Sequence, residues 1–414
     1  MLLGMERPTE RIRAGVAVLN SACSKRAVEV ELRDGLIVGY DSVPEGALNA
    51  RERATILTPG LVNAHAHLDL GALRGSISAS RGFLTWVQEL VSAREGLAHG
   101  ELEAGVRASA WEAFRTGTTS VLDIDSMGLT EGALRVAGAR APRAILLREV
   151  LDGSPQGRTA RTDSSRKLAE AAVARGHGLS PHGTHTVGDS LLSDLAQIVT
   201  SAQPASGIVP VGVHWAETPE EGRWLMEGEG PFASWLGPSP ELSGTERLAR
   251  AGLLRGTLLI HGNHPEPGEL ERLAAAGCTV VHCPGCHHFF GRERFPVESY
   301  LAAGVRLALG TDSWASNDRL DMRREMRLAR DTLGLSAASV WRMATEIGAE
   351  AIPDSTVTGT ITPGTAADLV EFLQPSSVDT RDLGALEASA LETLTQSEPQ
   401  VGSVWLGGRR TSVA

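Results

Sequence analysis

From Leu57 onward the chain alternates short apolar runs with longer stretches whose apolar residues recur at helical spacing. The apolar runs fall at residues 61–65, 119–124, 144–150, 178–181, 209–214, 258–261, 279–282 and 306–310. Short runs that are apolar on both faces predict parallel strands buried on both sides. Between them, residues 101–115, 165–175, 190–200, 268–276 and 321–332 carry the amphipathic helical pattern. This alternation predicts a parallel α/β architecture, and eight strands over this length fit a (β/α)8 barrel of the TIM type. The two ends read differently. Residues 11–56 hold short strands and turns, with 28–32 followed by Asp34-Gly35, a hairpin signal. Residues 356–414 read the same way, with strands at 358–361, 367–372 and 403–406. The expected organisation is a barrel over 57–355 flanked by two β segments, 1–56 and 356–414.

One segment breaks the rhythm. Residues 226–244 are rich in Gly, Pro and Ser yet hold Phe232, Trp235 and Leu236. Because the segment follows the 209–214 strand, it reads either as a plain surface loop or as a lid over the barrel mouth.

Composition narrows the classes. With 414 residues and 42% apolar side chains, the chain can bury a large core without disulfides. Its net charge of −11 argues against nucleic acid or an anionic membrane as the main partner and leaves a small molecule. No apolar run approaches a membrane span. The four cysteines, Cys23, Cys278, Cys283 and Cys286, do not form the framework of a secreted mini-domain. Charge arrives within residues 1–7, before any apolar stretch, so no signal peptide is read and a cytoplasmic location is expected.

The predicted strand ends carry the chemistry. The first run leads into His65-Ala66-His67, and side chains two apart on a strand share a face. Two imidazoles aimed at one point suit a metal ion. A lone His-x-His is a weak signal, but three further runs end alike: His214 with Glu217, His261, and Asp312. Barrel enzymes assemble their sites at these carboxyl ends, so four such placements favour a metal site over buried structural polar groups.

At this point the chain resembles the amidohydrolase superfamily, in the deaminase branch that includes cytosine, guanine and adenosine-type deaminases. The matching motifs are Pro59-Gly60-Leu61-Val62-Asn63-Ala64-His65-Ala66-His67, His214-Trp215-Ala216-Glu217, Leu259-Ile260-His261-Gly262, Val281-His282-Cys283-Pro284 and Leu309-Gly310-Thr311-Asp312-Ser313. A tail motif, Gly359-Thr360-Ile361-Thr362-Pro363-Gly364, is similar as well. The resemblance implies that both chain ends join into a small β-sandwich domain beside the barrel. It implies that His65, His67, His214 and Asp312 bind one divalent metal, zinc first and iron as the alternative. Glu217 would be the proton shuttle, His261 would hydrogen-bond the attacking oxygen or polarise the leaving group, and Asp312 would orient the nucleophile. Lysine occurs only at Lys25 and Lys167, away from every strand end, so a carbamylated-lysine bridge between two metals is not expected.

Substrate signals are thinner. His182 ends the 178–181 run and, by the resemblance, would contact a heterocycle; a turn histidine is the plain alternative. Phe83 and Trp86 have core-stripe spacing, and the stretch also resembles deaminases of 5′-modified adenine nucleosides. Trp86, Arg74 and Arg81 are therefore substrate-contact candidates, the arginines for a ribose or a distal carboxylate. Cys283-Pro284-Gly285-Cys286-His287-His288 reads alone as a Cys-x-x-Cys, but it has no second pair. The family usually has arginine where Gly285 stands, so any contact made there is in doubt. The expected reaction is hydrolytic loss of an exocyclic amino group from an aminopurine nucleoside, with the look of aminodeoxyfutalosine deaminases of menaquinone synthesis. Methylthioadenosine, adenosylhomocysteine or guanine deamination and cyclic-amide hydrolysis are the enzyme alternatives; a non-catalytic structural barrel is the non-enzyme one. A homodimer is compatible with this reading.

Overall fold

The computed structural model describes residues 9–153, 158–202, 209–375 and 377–413. Residues 1–7, on which the signal-peptide reading rests, lie outside the described residues. Among the described residues no helix is long and apolar enough to cross a membrane.

Eight parallel strands form the barrel: Leu61–Ala66, Thr118–Asp125, Arg143–Val150, Gly178–Pro181, Gly212–Trp215, Leu258–His261, Thr279–His282 and Arg306–Leu309. The first four make one sheet and the last four another. Two seams join them. Leu179 bridges Val211 and Gly183 bridges His214, while Ala66 bridges Asp312 to close the ring. The strands are buried along nearly their whole length, as uniformly apolar runs require.

Closure is made by polar groups. The Asn63 amide donates to Thr311 Oγ1 at 2.7 Å and accepts from the Thr311 N–H at 3.1 Å. The His65 carbonyl accepts from the N–H groups of both Thr311 and Asp312. Gly310 permits this approach, because a Cβ there would lie 2.9 Å from His65 Cβ and 3.0 Å from its backbone.

Strands from both ends of the chain join in one seven-stranded sheet, ordered Arg409–Ser412, Gln400–Leu406, Leu369–Leu373, Thr55–Pro59, Glu10–Asn20, Cys23–Arg33, Leu36–Ser42. The expected hairpin sits at Asp34-Gly35, where φ is 51° and 84°. The sheet folds back on itself: Leu36 bridges Ala366, and the Ile37 N–H donates to the Thr365 carbonyl. Ile12, Val28, Val30, Leu57, Leu369 and Trp405 fill the space enclosed.

The carboxyl-terminal segment departs from the expectation in two places. Residues 358–361 form no strand; Ile361 instead caps the sheet core through its N–H to the Leu19 carbonyl. Leu383–Gln396 is a helix, capped by Asp382 on the Ala385 N–H and burying Leu383, Leu386, Ala390 and Leu394. That spacing was present in the sequence, but flanking strand signals masked it.

Overpacking a closely approached glycine costs about 1–3 kcal/mol. Gly310→Ala is expected to lower the melting temperature by several degrees and to reduce metal content with it. Calorimetry and elemental analysis on the same sample check this, and a fully stable, metal-replete variant would contradict the closure argument.

Candidate metal-dependent active site

The strand ends converge as their spacing implies. His65, His67 and His214 offer nitrogen atoms within 4.8 Å of one another, and the ring nitrogens of His65 and His261 with a carboxylate oxygen of Asp312 lie equally close. His67 Nε2 faces His214 Nε2 at 3.2 Å. Asp312 Oδ1 lies 3.4 Å from His65 Nε2 and 3.8 Å from His67 Nε2. All of these groups are buried.

Three observations fit this cluster to a divalent ion. Both His65 ring nitrogens and His67 Nδ1 are buried without a hydrogen-bond partner. Burial, with the neighbouring imidazoles, holds His67 and His261 well below the usual range and His214 down at about 3, so each is neutral. Neutral imidazole is the ligand form. Burial alone would raise the Asp312 carboxyl, but the imidazoles of His65, His67 and His261 packed beside it keep it well below the carboxylate range. The partners behind the donors are also in place. His214 Nδ1 meets the His182 carbonyl at 2.6 Å, and the Ser316 hydroxyl donates to Asp312 Oδ2 at 2.7 Å.

Backbone strain marks the same places. Ala216, His261 and Asp312 have φ of 49°, 76° and 60°, the left-handed region that non-glycine residues avoid. The turn after His67 is pinned from beneath: Asp123 Oδ1 accepts from the Leu68 N–H, and Asp69 Oδ2 accepts from Ser126 and Met127.

Glu217 stands beside the cluster, its Oε2 3.7 Å from His261 Nε2. Burial pushes its carboxyl up to about 8, opposed by Arg292 and aided by Asp312 and Glu221. Arg292 Nη2 donates to Glu217 Oε1 at 3.0 Å, and its guanidinium packs on Phe290 and Phe83 at 4.8 and 5.5 Å. Glu221 fixes the backbone by accepting from the Glu217 N–H at 3.0 Å. The sequence reading missed Arg292, which lies in a loop that no periodicity marks. Gly285 explains why no arginine stands at the family position: a Cβ there would lie 2.3 Å from Asn317 Nδ2.

Around this floor opens a pocket lined by His182, Glu149, Ser313, His185 and an apolar wall. His182 is held by Thr186 Oγ1 at 2.7 Å and pushed down to about 3 by burial, so it presents a neutral ring. Trp86 lines the pocket and donates its indole N–H to the Ala315 carbonyl at 3.3 Å. Phe232, Trp235 and Leu236 also line it, which places the 226–244 segment over the mouth. Glu149 was missed although it is the penultimate residue of the predicted strand 144–150. The arginine expectation needs correction. Arg74 pairs with Glu112 and stacks on Trp314; Arg81 pairs with Glu89 on the exposed face; neither lines the pocket. The neighbouring helices His99–Arg115 and Phe83–Glu95 supply the partners that hold them away. Cys283 and Cys286 are buried, and burial raises both thiols well above the usual range. Cys286 lies within 4.8 Å of Glu217 and His261, whereas among the described residues Cys283 joins no metal-capable group.

A parallel eight-stranded barrel with a metal-ligand cluster and a buried carboxylic acid at its carboxyl face defines a hydrolase of the metal-assisted kind. The chain belongs to the amidohydrolase family, whose sequence profile matches residues 56–410. It is 32% identical over 371 residues to a 5-methylthioadenosine/S-adenosylhomocysteine deaminase of Halobacterium salinarum, covering 86% of this chain and 79% of that one. It is 30% identical over 312 residues to an aminodeoxyfutalosine deaminase of Deinococcus radiodurans, covering 68% and 69% respectively. The fold superposes on a zinc-bound adenosine deaminase from Xanthomonas campestris with a TM-score of 0.76 and 25% identity, over 97% and 92% of the two chains. The protein is a hydrolase acting on carbon–nitrogen bonds other than peptide bonds, of the deaminase kind, and its family uses a divalent metal.

Purified protein is expected to carry about one divalent ion per chain, as one closed donor set implies. His65→Ala/His67→Ala should lose it. Elemental analysis giving two ions per chain, or full retention in the double variant, would contradict the single-site geometry.

Proposed function

We propose that the protein hydrolytically deaminates the adenine ring of a 5′-substituted nucleoside, with aminodeoxyfutalosine as the first candidate and methylthioadenosine or adenosylhomocysteine as the alternative. The single observation that carries this reading is Glu217, a buried carboxyl beside His261 at 3.7 Å, on the edge of the His65–His67–His214–Asp312 cluster. A carboxyl raised to about 8 can exchange a proton at neutral pH, which is what replacing an amino group by water demands.

His65, His67, His214 and Asp312 would hold the divalent ion, zinc or iron, whose bound form supplies water activation at neutral pH. Glu217 takes one proton from the attacking water and delivers it to the ring nitrogen; the remaining hydroxyl proton, passed through Glu217 to the amino group, lets that group leave as ammonia while the carbonyl forms. His261 donates to the incoming oxygen. Asp312 orients the nucleophile through the oxygen that Ser316 leaves free. The neutral His182 ring hydrogen-bonds the heterocycle, and the Phe83–Trp86 wall packs against the nucleoside. Arg292 is a positioning residue: it aims one Glu217 oxygen away from the site and leaves the other toward His261.

Glu217→Gln should keep its metal and melting temperature while losing ~100-fold or more in turnover, as loss of a general acid/base implies. An ammonia-release screen over aminodeoxyfutalosine, methylthioadenosine, adenosylhomocysteine, adenosine, guanine and cyclic amides tests the substrate class. Best turnover of guanine or of a cyclic amide would overturn it. Arg292→Met removes the cation that lowers the Glu217 carboxyl. Its kcat should fall about 10-fold or more, with the acid limb of the pH–rate profile moved to higher pH and metal content unchanged. An unmoved limb would show that Arg292 only packs.

A further inference from the structure

Arg94 closes one face of the helix Phe83–Glu95, and that face is a wall of the pocket. Phe83, Trp86, Val87, Leu90, Val91 and Arg94 follow helical spacing and all line the cavity. The wall begins near the reacting centre. Trp86 donates to the carbonyl of Ala315, close after Asp312, and Phe83 packs on the Arg292 guanidinium that grips Glu217. Arg94 lies two helical turns beyond Trp86, about 12 Å farther along the axis at the usual rise.

Arg94 is half-buried and is the one lysine or arginine among the described residues that lines the pocket. Among those residues it has no ion pair and no side-chain hydrogen bond, unlike Arg81, which pairs with Glu89 on the same helix. The acids that share the pocket, Glu149, Glu217 and Asp312, belong to the floor; Glu149 sits with His182 and His214 within 4.8 Å. A guanidinium on the apolar wall, within electrostatic reach of the buried Asp69 and His182 but in no ion pair or side-chain hydrogen bond among the described residues, is a ready partner for an anion on the ligand.

We propose that Arg94 binds the distal anion of the substrate and selects nucleosides whose 5′ substituent ends in a carboxylate. The inference rests on the reading above, with the base on the floor and the 5′ substituent running outward along the wall. The planar fork matches a carboxylate with two parallel hydrogen bonds. Trp86, Leu90 and Val91 cover the uncharged linker between ribose and carboxylate. A methylthio group would reach the wall without using its charged end. Adenosylhomocysteine would bring an ammonium beside its carboxylate.

The test compares metal-loaded native enzyme, Arg94→Met and Arg94→Lys. Ammonia release is followed with aminodeoxyfutalosine, methylthioadenosine and adenosine, and binding of their deaminated products is followed by tryptophan fluorescence. Arg94→Met should raise KM for aminodeoxyfutalosine by roughly 10- to 150-fold, the range for one charge-assisted contact, with kcat nearly unchanged. KM for methylthioadenosine and adenosine should stay put, and Arg94→Lys should recover part of the loss. Equal loss on all substrates, or native enzyme with no preference for the carboxylate, overturns the proposal. Deamination of all three with an Arg94-independent ratio would leave the nucleoside reading standing and remove this one. Arg94-dependent binding of the carboxylate-bearing product without any turnover would do the reverse. Neither turnover nor product binding would remove both.

Discussion

The junction between the first and last barrel strands holds the site together. The His65 carbonyl accepts from Thr311 and Asp312, so one peptide group fixes the spacing between a histidine donor and the only carboxylate donor of the cluster. The Asn63–Thr311 pair locks the register one step below. Because both partners are buried, slipping by a residue would strand polar groups away from water as well as separate the donors. The positive φ at His261 and Asp312 is tolerated on the same terms: the surrounding ring over-determines their conformation.

That closure also produces the electrostatics of the floor. A sealed ring excludes water from beneath the imidazoles, which keeps His67, His214 and His261 neutral and available as donors. The same dryness would drive Glu217 to hold its proton indefinitely. Arg292 opposes it, and the aromatic pair Phe83 and Phe290 keeps that guanidinium in place. The result is a carboxyl raised to about 8, with burial outweighing the cation beside it.

Floor and walls are built by different means. The floor comes from strand ends, whose positions the barrel dictates. The walls come from the helix Phe83–Glu95 and from the segment carrying Phe232, Trp235 and Leu236, which pack on each other through Phe83 and Leu84. A family can therefore keep one chemistry while its loops choose the substrate. Arg94, without an ion pair on the wall helix, is a feature of this chain's walls rather than of the floor.

Strand number, the barrel, and the convergence of His65, His67, His214, His261, Asp312 and Glu217 were legible in the sequence. Buried parallel strands must be apolar throughout, so a polar residue at their carboxyl ends stands out, and the fold brings all such ends to one face. Glu149, near the carboxyl end of Arg143–Val150, reaches the pocket by the same logic. The carboxyl-terminal helix was visible as Leu383, Leu386, Ala390 and Leu394, yet was outweighed by neighbouring strand signals. The arginines were not legible. Charge alone cannot say which of Arg74, Arg81, Arg94 and Arg292 faces a cavity, because each outcome depends on whether a neighbouring helix or loop supplies a carboxylate. Glu112 and Glu89 claim the first two, Glu217 claims Arg292, and Arg94 is left facing the pocket. Local pattern thus determined the elements and the polar groups that converge on the barrel's carboxyl face. Long-range packing decided which charges remain free to meet a ligand, since only the assembled fold pairs residues that lie far apart in the chain.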